Sequence, residues 1–232
     1  MEDIDAIAML QDPVRRRLYA YVAAQGREVG RNEAAEAAGV ARTLAAHHLD
    51  KLTEAGLLAS GSRRLTGRSG PGAGRPAKVY TRAGTEFGVS LPARDYRTAA
   101  ELLAEAVEEA GLDAGLREAA HRRGEALRGP AAPCGDLAEV LGVLAARGYE
   151  PHLEGGEEGG GDEGAAGGEA PVVRMRNCPF HAVAERFPPL VCGMNLALLE
   201  GLLGADGPVR ARMDARPGEC CVVVEDSKNN DD

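Results

Sequence analysis

The chain has 232 residues, 44% of them hydrophobic and 27% charged, with no Trp and only 3% aromatic residues. That composition is the one expected of a soluble globular protein of two modest domains, with cores built from Leu, Val and Ala. No apolar run approaches the ~20 residues that a membrane span needs. Residues 1–10 carry three acidic residues and no basic start, so no secretory signal is expected there and the protein is read as cytoplasmic, without a membrane partner. Five Cys in such a setting favour a metal or redox role over a disulfide framework. The net charge is −9, but it is divided unevenly: residues 1–98 hold 15 Lys+Arg against 11 Asp+Glu, and residues 99–232 hold 12 against 25. Within 60–97 there are eight basic residues and two acidic ones. A local cationic patch of this kind is what contact with nucleic-acid phosphates requires, whatever the total charge.

Asp12-Pro13 starts the first expected helix, over 14–24, with an acidic N-cap and Pro at the first helical position. Gly26 ends it. A short helix over 31–38 stops at Gly39, and a longer one over 40–56 stops at Gly56. The stretch 59–83, rich in Gly, Arg, Pro and Ser, closes on a strand over 78–81. Helices are expected from Asp95 or Thr98 to Ala110, over 112–128, over 136–147 and over 189–203. Strands are expected over 149–153, 171–176, 209–214 and 220–225. Residues 155–168 include eight Gly and four acidic residues and offer almost nothing to bury, so they read as a disordered loop.

The segment 32–56 has the layout of a helix-turn-helix. Ala35, Ala38, Val40, Leu44, Leu49 and Leu52 are expected to pack its two helices together, and Gly39 supplies the positive φ that the turn needs. The second helix would then enter the major groove with Arg42, Thr43, Ala46 and His47 at the base edges. Small residues at 45 and 46 would let it sit close. Arg63, Arg64, Arg68, Arg75 and Lys78 surround a hairpin tip suited to the minor groove or the phosphate backbone. His47 and His48 face different directions and make poor joint metal ligands. The runs "DPVRRRLYAYV", "EAAGVARTLAAHHLDKLTEAGLL" and "GRPAKVYTRAG" together resemble winged-helix regulators of the ArsR-like superfamily. The resemblance covers about a third of the chain. It implies a transcriptional regulator, not an enzyme, acting on a double-stranded DNA operator.

In the helical middle, Tyr96, Ala99, Leu103, Ala106 and Ala110 recur at three- and four-residue steps, widened by Leu102 and Val107. This stripe is either a homodimer seam or packing within the protomer. The run "HRRGEALR" at 121–128 reads as a solvated helix face.

The C-terminal half carries Cys178, His181, Cys192, Cys220 and Cys221 at the ends of expected elements, where side chains can converge. Cys192 is placed at a helix start, where the macrodipole favours thiolate. Soft thiolates select Fe–S clusters, Zn or Cu(I). Neighbours along a strand point to opposite faces, which argues against Cys220 and Cys221 serving one centre. The candidate ligand set is therefore Cys178, His181, Cys192 and Cys220, with Asp206 ranked lower. Cys134 stands apart in a Pro/Gly linker, and Met175, Met194 and Met213 are expected to fill core. A winged helix with C-terminal cysteines is similar to the SufR-like iron–sulfur repressors, whose cysteines recur about a dozen residues apart. Cys178 to Cys192 matches that spacing; Cys192 to Cys220 spans 28 positions and departs from it. The resemblance implies a dimeric repressor that senses through an Fe–S cluster. Three alternatives stay open: a small organic effector with structural cysteines, a Zn-stabilised interaction module, and an enzyme using Cys178 or Cys192 with His181 as base. The expected fold class is α+β. It comprises an N-terminal winged helix-turn-helix (1–90), a helical connector with a candidate dimerisation face (91–130) and a small C-terminal α+β sensor domain (131–226). Residues 155–169 and 227–232 are expected to be disordered.

Overall fold

The computed structural model describes residues 2–63, 76–155 and 170–227. The chain divides into two compact units, Met1–Arg94 and Asp95–Asp232, and each combines helices with an antiparallel sheet, so the chain is α+β. The expected arginine-bearing tip with Arg64, Arg68 and Arg75 lies outside the described residues. So do the expected disordered segments, apart from Gly155 and Ser227.

The first unit opens with α1 (Glu2–Ala8) and a 3-10 turn (Met9–Gln11), followed by α2 (Pro13–Gln25). Asp12 caps α2 as its sequence predicts: its carboxylate accepts the amides of Val14 at 2.8 Å and Arg15 at 3.0 Å, satisfying two of the donors a helix start leaves open. Next come β1 (Val29–Gly30), α3 (Arg31–Ala38) and α4 (Arg42–Glu54). Between the two helices Gly39 stands at φ +64°, and the amides of Gly39 and Val40 bond back to Glu36 and Ala35. This is the helix C-terminal turn that glycine makes without steric penalty. Strands β2 (Leu58–Arg63) and β3 (Ala77–Arg82) pair antiparallel, Leu58 opposite Arg82 and Arg63 opposite Ala77, and β1 adds to the other edge of β3.

One core position of this unit differs from the sequence reading. Helix α4 begins at Arg42, not at residue 40, and its inward face is Ala45, Leu49 and Leu52, spaced i, i+4, i+7. Leu44 falls about 100° off that face and is 42% exposed. Ala45 is therefore core, and its small size serves close packing of α4 on α2 and α3. Strand β1 and helix α1 had no sequence signal: two residues are too few to show alternation.

The second unit contains α5 (Tyr96–Glu109), α6 (Asp113–Arg128), α7 (Leu137–Ala145), β4 (Pro151–Glu154), β5 (Val172–Met175), α8 (His181–Ala184), α9 (Pro188–Leu203), β6 (Val209–Met213) and β7 (Val222–Asp226). The sheet order is β4-β5-β7-β6, antiparallel throughout. Its inner face, with Val173, Met175, Val222 and Val224, shares a core with Val140 and Leu144 of α7 and with Leu199 and Leu203 of α9. Helix α6 lies against α9 at a crossing where only glycine fits. A Cβ on Gly124 would stand 2.2 Å from the Leu198 carbonyl oxygen, and one on Gly201 would stand 2.2 Å from that of His121. The segment 121–128 is thus more than a solvated face. Helices α5 and α6, which the sequence reading sets apart as a connector, fall within the same compact unit as the sheet. Cys134, read as incidental, is buried in this core, and its amide donates to Leu203.

On α5 the buried position is Ala104. Tyr96, Leu102 and Leu103 are 74%, 60% and 69% exposed and Val107 is half-buried, so the apolar stripe read in the sequence packs only in part against its own unit. Behind the sheet, Arg174 points away from Val173 and Met175. It is buried among the carboxylates of Glu154, Asp214 and Glu219. Arg216 joins Glu154, and Arg212 joins both Asp214 and Glu225. Burial lowers the Arg174 pKa, and Glu154 and Asp214 outweigh that, leaving it raised.

Candidate nucleic-acid interface and thiol cluster

Of the residues that the sequence assigned to DNA, Arg42, Thr43 and His47 are exposed on α4 and Ala46 is half-buried. Arg42 opens the helix and has no acidic partner among the described residues. Arg63 ends β2 and reaches Glu28 at 3.4 Å. A groove runs between α3, the start of α4 and the β2–β3 hairpin, lined by Arg27, Arg31, Arg42, Arg63 and Lys78 among others. Arg27 and Arg31 escaped the sequence reading. The signal available for Arg31 was its position as the first residue of a helix beside a cationic hairpin.

Lys78 is not a free cation. Its Nζ donates to Asp50 Oδ1 at 2.7 Å, and the Tyr80 hydroxyl donates to the same oxygen at 2.7 Å. Arg31 completes the set: its Nε donates to the Tyr80 hydroxyl at 2.9 Å, and its terminal nitrogen reaches Asp50 Oδ2 at 3.2 Å. Both cations also lie over the Tyr80 ring, at 5.9 Å for Arg31 and 5.3 Å for Lys78. Burial raises the Asp50 carboxyl; the bonds from Lys78 and Tyr80 outweigh it, so its pKa is lowered. Burial and the bond to Asp50 push Tyr80 up to about 12. Asp50 stays ionised and Tyr80 neutral through the physiological range.

In the second unit the structure gathers four of the five cysteines. Cys178 lies in the loop after β5, Cys192 in the second turn of α9, and Cys220 and Cys221 in the bend before β7. The Cys178 and Cys221 thiols both interact with Cys220, and Cys221 also meets Cys192. The alternation argument against Cys220 and Cys221 acting together fails because neither residue is in the strand. Cys192 lies beyond the first turn of α9, so the macrodipole argument for it weakens. Cys220 is the acceptor of the cluster: Cys178 first, then Cys221, the Val222 amide and Asn195 lower its pKa. Cys178 is raised by Cys220 and by burial, and Cys221 by Cys220 and by burial. Its neighbours therefore favour the thiolate at Cys220 over one at Cys178 or Cys221. Asn195, on α9 and fully buried, connects this centre inward. Its Nδ2 donates to Cys220 Sγ at 3.4 Å and its Oδ1 accepts from the Tyr149 hydroxyl at 2.5 Å. His181 stands outside the cluster, 65% exposed and 3.3 Å from Glu185. Among the described residues, no group of three or more His, Cys, Asp or Glu side chains has the arrangement that would hold a metal ion. The thiols are neighbours, not a closed cage.

No helix among the described residues is long and apolar enough to cross a membrane. No curated protein and no solved structure matches the chain. Residues 10–60 match a family model described as a helix-turn-helix domain. That match spans α2 to the start of β2, the stretch whose helices frame Gly39, so the first unit carries a helix-turn-helix domain of the kind found in DNA-binding regulators.

Proposed function

We propose that the chain is a winged-helix transcriptional repressor that binds a double-stranded operator as a homodimer and is controlled through the thiol cluster of its second unit. The observation that carries the DNA-binding half is the placement of Arg42, Thr43 and His47 on one open face of α4, beside a hairpin that brings further cations. Arg42 donates to a guanine edge, and Thr43 either bonds a phosphate or packs its methyl against a thymine methyl. Arg63 and the arginines at 64, 68 and 75 hold the backbone. The outward apolar face of α5 supports a second copy as its occupant, and two heads then match two half-sites.

The sensing half rests on the donor chemistry of the cluster. Cys178, Cys192, Cys220 and Cys221 are four soft donors, and the Asn195 and Val222 N–H groups are aimed at Cys220 in the way that orients a ligating sulfur. Cys221 replaces His181 as the fourth ligand in this reading, because His181 is exposed and engaged with Glu185. A bound Fe–S cluster supplies a group sensitive to iron supply and oxidation; a zinc ion in its place supplies structure. The chain's own part is to hold Cys178 and Cys221 beside Cys220, with Cys192 next to Cys221.

Anaerobic purification, visible absorption and iron and zinc analysis test the sensing half. An iron-free, colourless protein overturns the cluster, and stoichiometric zinc replaces it with a structural metal. For DNA, Arg42→Ala is expected to abolish sequence preference on a mapped operator, whereas Arg63→Ala weakens binding to all sequences alike. Unchanged preference in the Arg42 variant overturns the assignment of α4 as the reading helix.

A further inference from the structure

The Asp50 carboxylate stands behind the cationic groove, in contact with its lining rather than part of it. It sits on the reading helix, yet it is bonded to two of the cations that line that groove, Arg31 from α3 and Lys78 from β3. Glu54, the other acidic residue of α4, bonds only Lys51, its neighbour one turn back, in an exposed pair. Asp50 is half-buried, and its partners come from two other elements. The buried Tyr80 ring stands beneath both cations, with its hydroxyl bridging Arg31 to Asp50.

Resting on the DNA-binding reading, we propose that Asp50 sets the specificity of the head by holding Arg31 and Lys78 in place and offsetting their charge. Two cations share one carboxylate, so the pair presents about half its formal charge to an arbitrary duplex. A phosphate recruits Arg31 or Lys78 only by competing with Asp50. That competition suppresses binding driven by charge alone, which is the sequence-independent part of affinity. Contacts made by Arg42 and Thr43 are not opposed in this way. The ratio of operator to non-operator affinity therefore rises because the non-operator term is lowered. The same bonds tie β3 to α4, so the hairpin and the reading helix meet DNA in one register.

The test uses the full chain and two duplexes, the mapped operator and a scrambled sequence, over a range of salt concentrations. Asp50→Asn keeps an acceptor for Lys78 and Tyr80 while removing the charge. It is expected to bind the scrambled duplex about tenfold more tightly at moderate salt. Its plot of log affinity against log salt should steepen by about one to two, since each added phosphate contact contributes roughly 0.9. Discrimination between the duplexes falls. Adding Lys78→Gln to Asp50→Asn should remove about half of the extra slope. Glu54→Gln, which removes the same charge from the same helix, should leave discrimination unchanged. A comparison independent of the folding of Asp50→Asn is Lys78→Gln against Arg42→Gln on the scrambled duplex. The offset Lys78 should change the slope clearly less than Arg42 does. Equal slopes for those two variants, an Asp50→Asn slope equal to the wild type, or a Glu54→Gln effect as large as that of Asp50→Asn each overturns the proposal. A wild-type protein that binds neither duplex at low salt overturns the DNA-binding reading itself, and this inference with it.

Discussion

The two units place their polar groups in opposite ways. In the first, Asp50, Arg31, Lys78 and Tyr80 gather at the rim of an open groove, where the cations remain partly exposed. In the second, the central groups are sealed: the Arg174 guanidinium is buried although its carboxylate partners are partly exposed, and Tyr149, Asn195 and Cys220 form a chain inside the core. A rim network is partly screened and can exchange its partners for a ligand. A sealed network cannot exchange without exposing an unpaired polar group, so it resists change until something alters its chemistry.

The comparison breaks most readily at the glycine crossing of the second unit. Gly124→Ala or Gly201→Ala puts a Cβ against backbone that cannot yield, and about 3 kcal/mol of stability should be lost. Amide exchange should rise across α6 and α9 while α2–α4 keep their protection. Loss of protection in both units together would mean that they do not unfold separately.

Next in size is Arg174→Ala, which leaves Glu154, Asp214 and Glu219 facing one another. Because these acids are partly exposed and rehydrate, the loss is expected to be about 2 kcal/mol, below the range for a fully buried pair. Its pH dependence has a definite sign. Arg174 holds Asp214 below its ordinary pKa, and Arg216 with Arg174 does the same for Glu154. Lowered carboxylates contribute stability that is complete above their unfolded pKa values, near 4, and is lost as the pH falls through the folded ones. Urea denaturation between about pH 7 and pH 3 should show that loss in the wild type and a flatter profile in Arg174→Ala.

Asn195→Leu sharpens the contrast within the core. It strands the Tyr149 hydroxyl and removes the donor to Cys220, for an expected loss of about 1–2 kcal/mol. Cys220 should then react differently with a thiol reagent under native conditions, a change that a packing defect elsewhere in the unit would not produce. The smallest effect is at Asp12→Ala, where removal of two amide bonds at the start of α2 should lower the stability of the first unit by about 1 kcal/mol, measured by the same denaturation.

These contrasts also explain which features were legible along the chain. Asp12-Pro13 and Gly39 are local signals, complete within a few residues, and in the structure Asp12 caps α2 and Gly39 makes the turn, while Arg42, Thr43 and His47 are exposed on α4. The Asp50 network is not local: Lys78 lies 28 residues away and Tyr80 30, so Lys78 reads along the chain as a free cation. At Leu44 hydrophobicity misleads: the large leucine stands about 100° from Ala45, the small residue that shares the buried face with Leu49 and Leu52. The alternation rule that separates Cys221 from Cys220 holds in a strand and not in a bend, and nearness in sequence to Cys178 does not bring the exposed His181 to the thiols.

Sequence by itself determined the longer helices, the Asp12 cap, the turn at Gly39, the concentration of cations before residue 98 and the presence of soft donors in the second half. Each of these follows from backbone preference or from charge, which act over one or two turns. Only the tertiary structure decided what those groups touch: that Asp50 bonds Arg31 and Lys78, that Gly124 and Gly201 let two helices meet at their backbones, and that Cys178, Cys192, Cys220 and Cys221 become neighbours, with Asn195 bonded to Cys220. Such contacts depend on how elements distant in the chain pack, and burial, which rewards many alternative packings nearly alike, leaves no local pattern from which to read them.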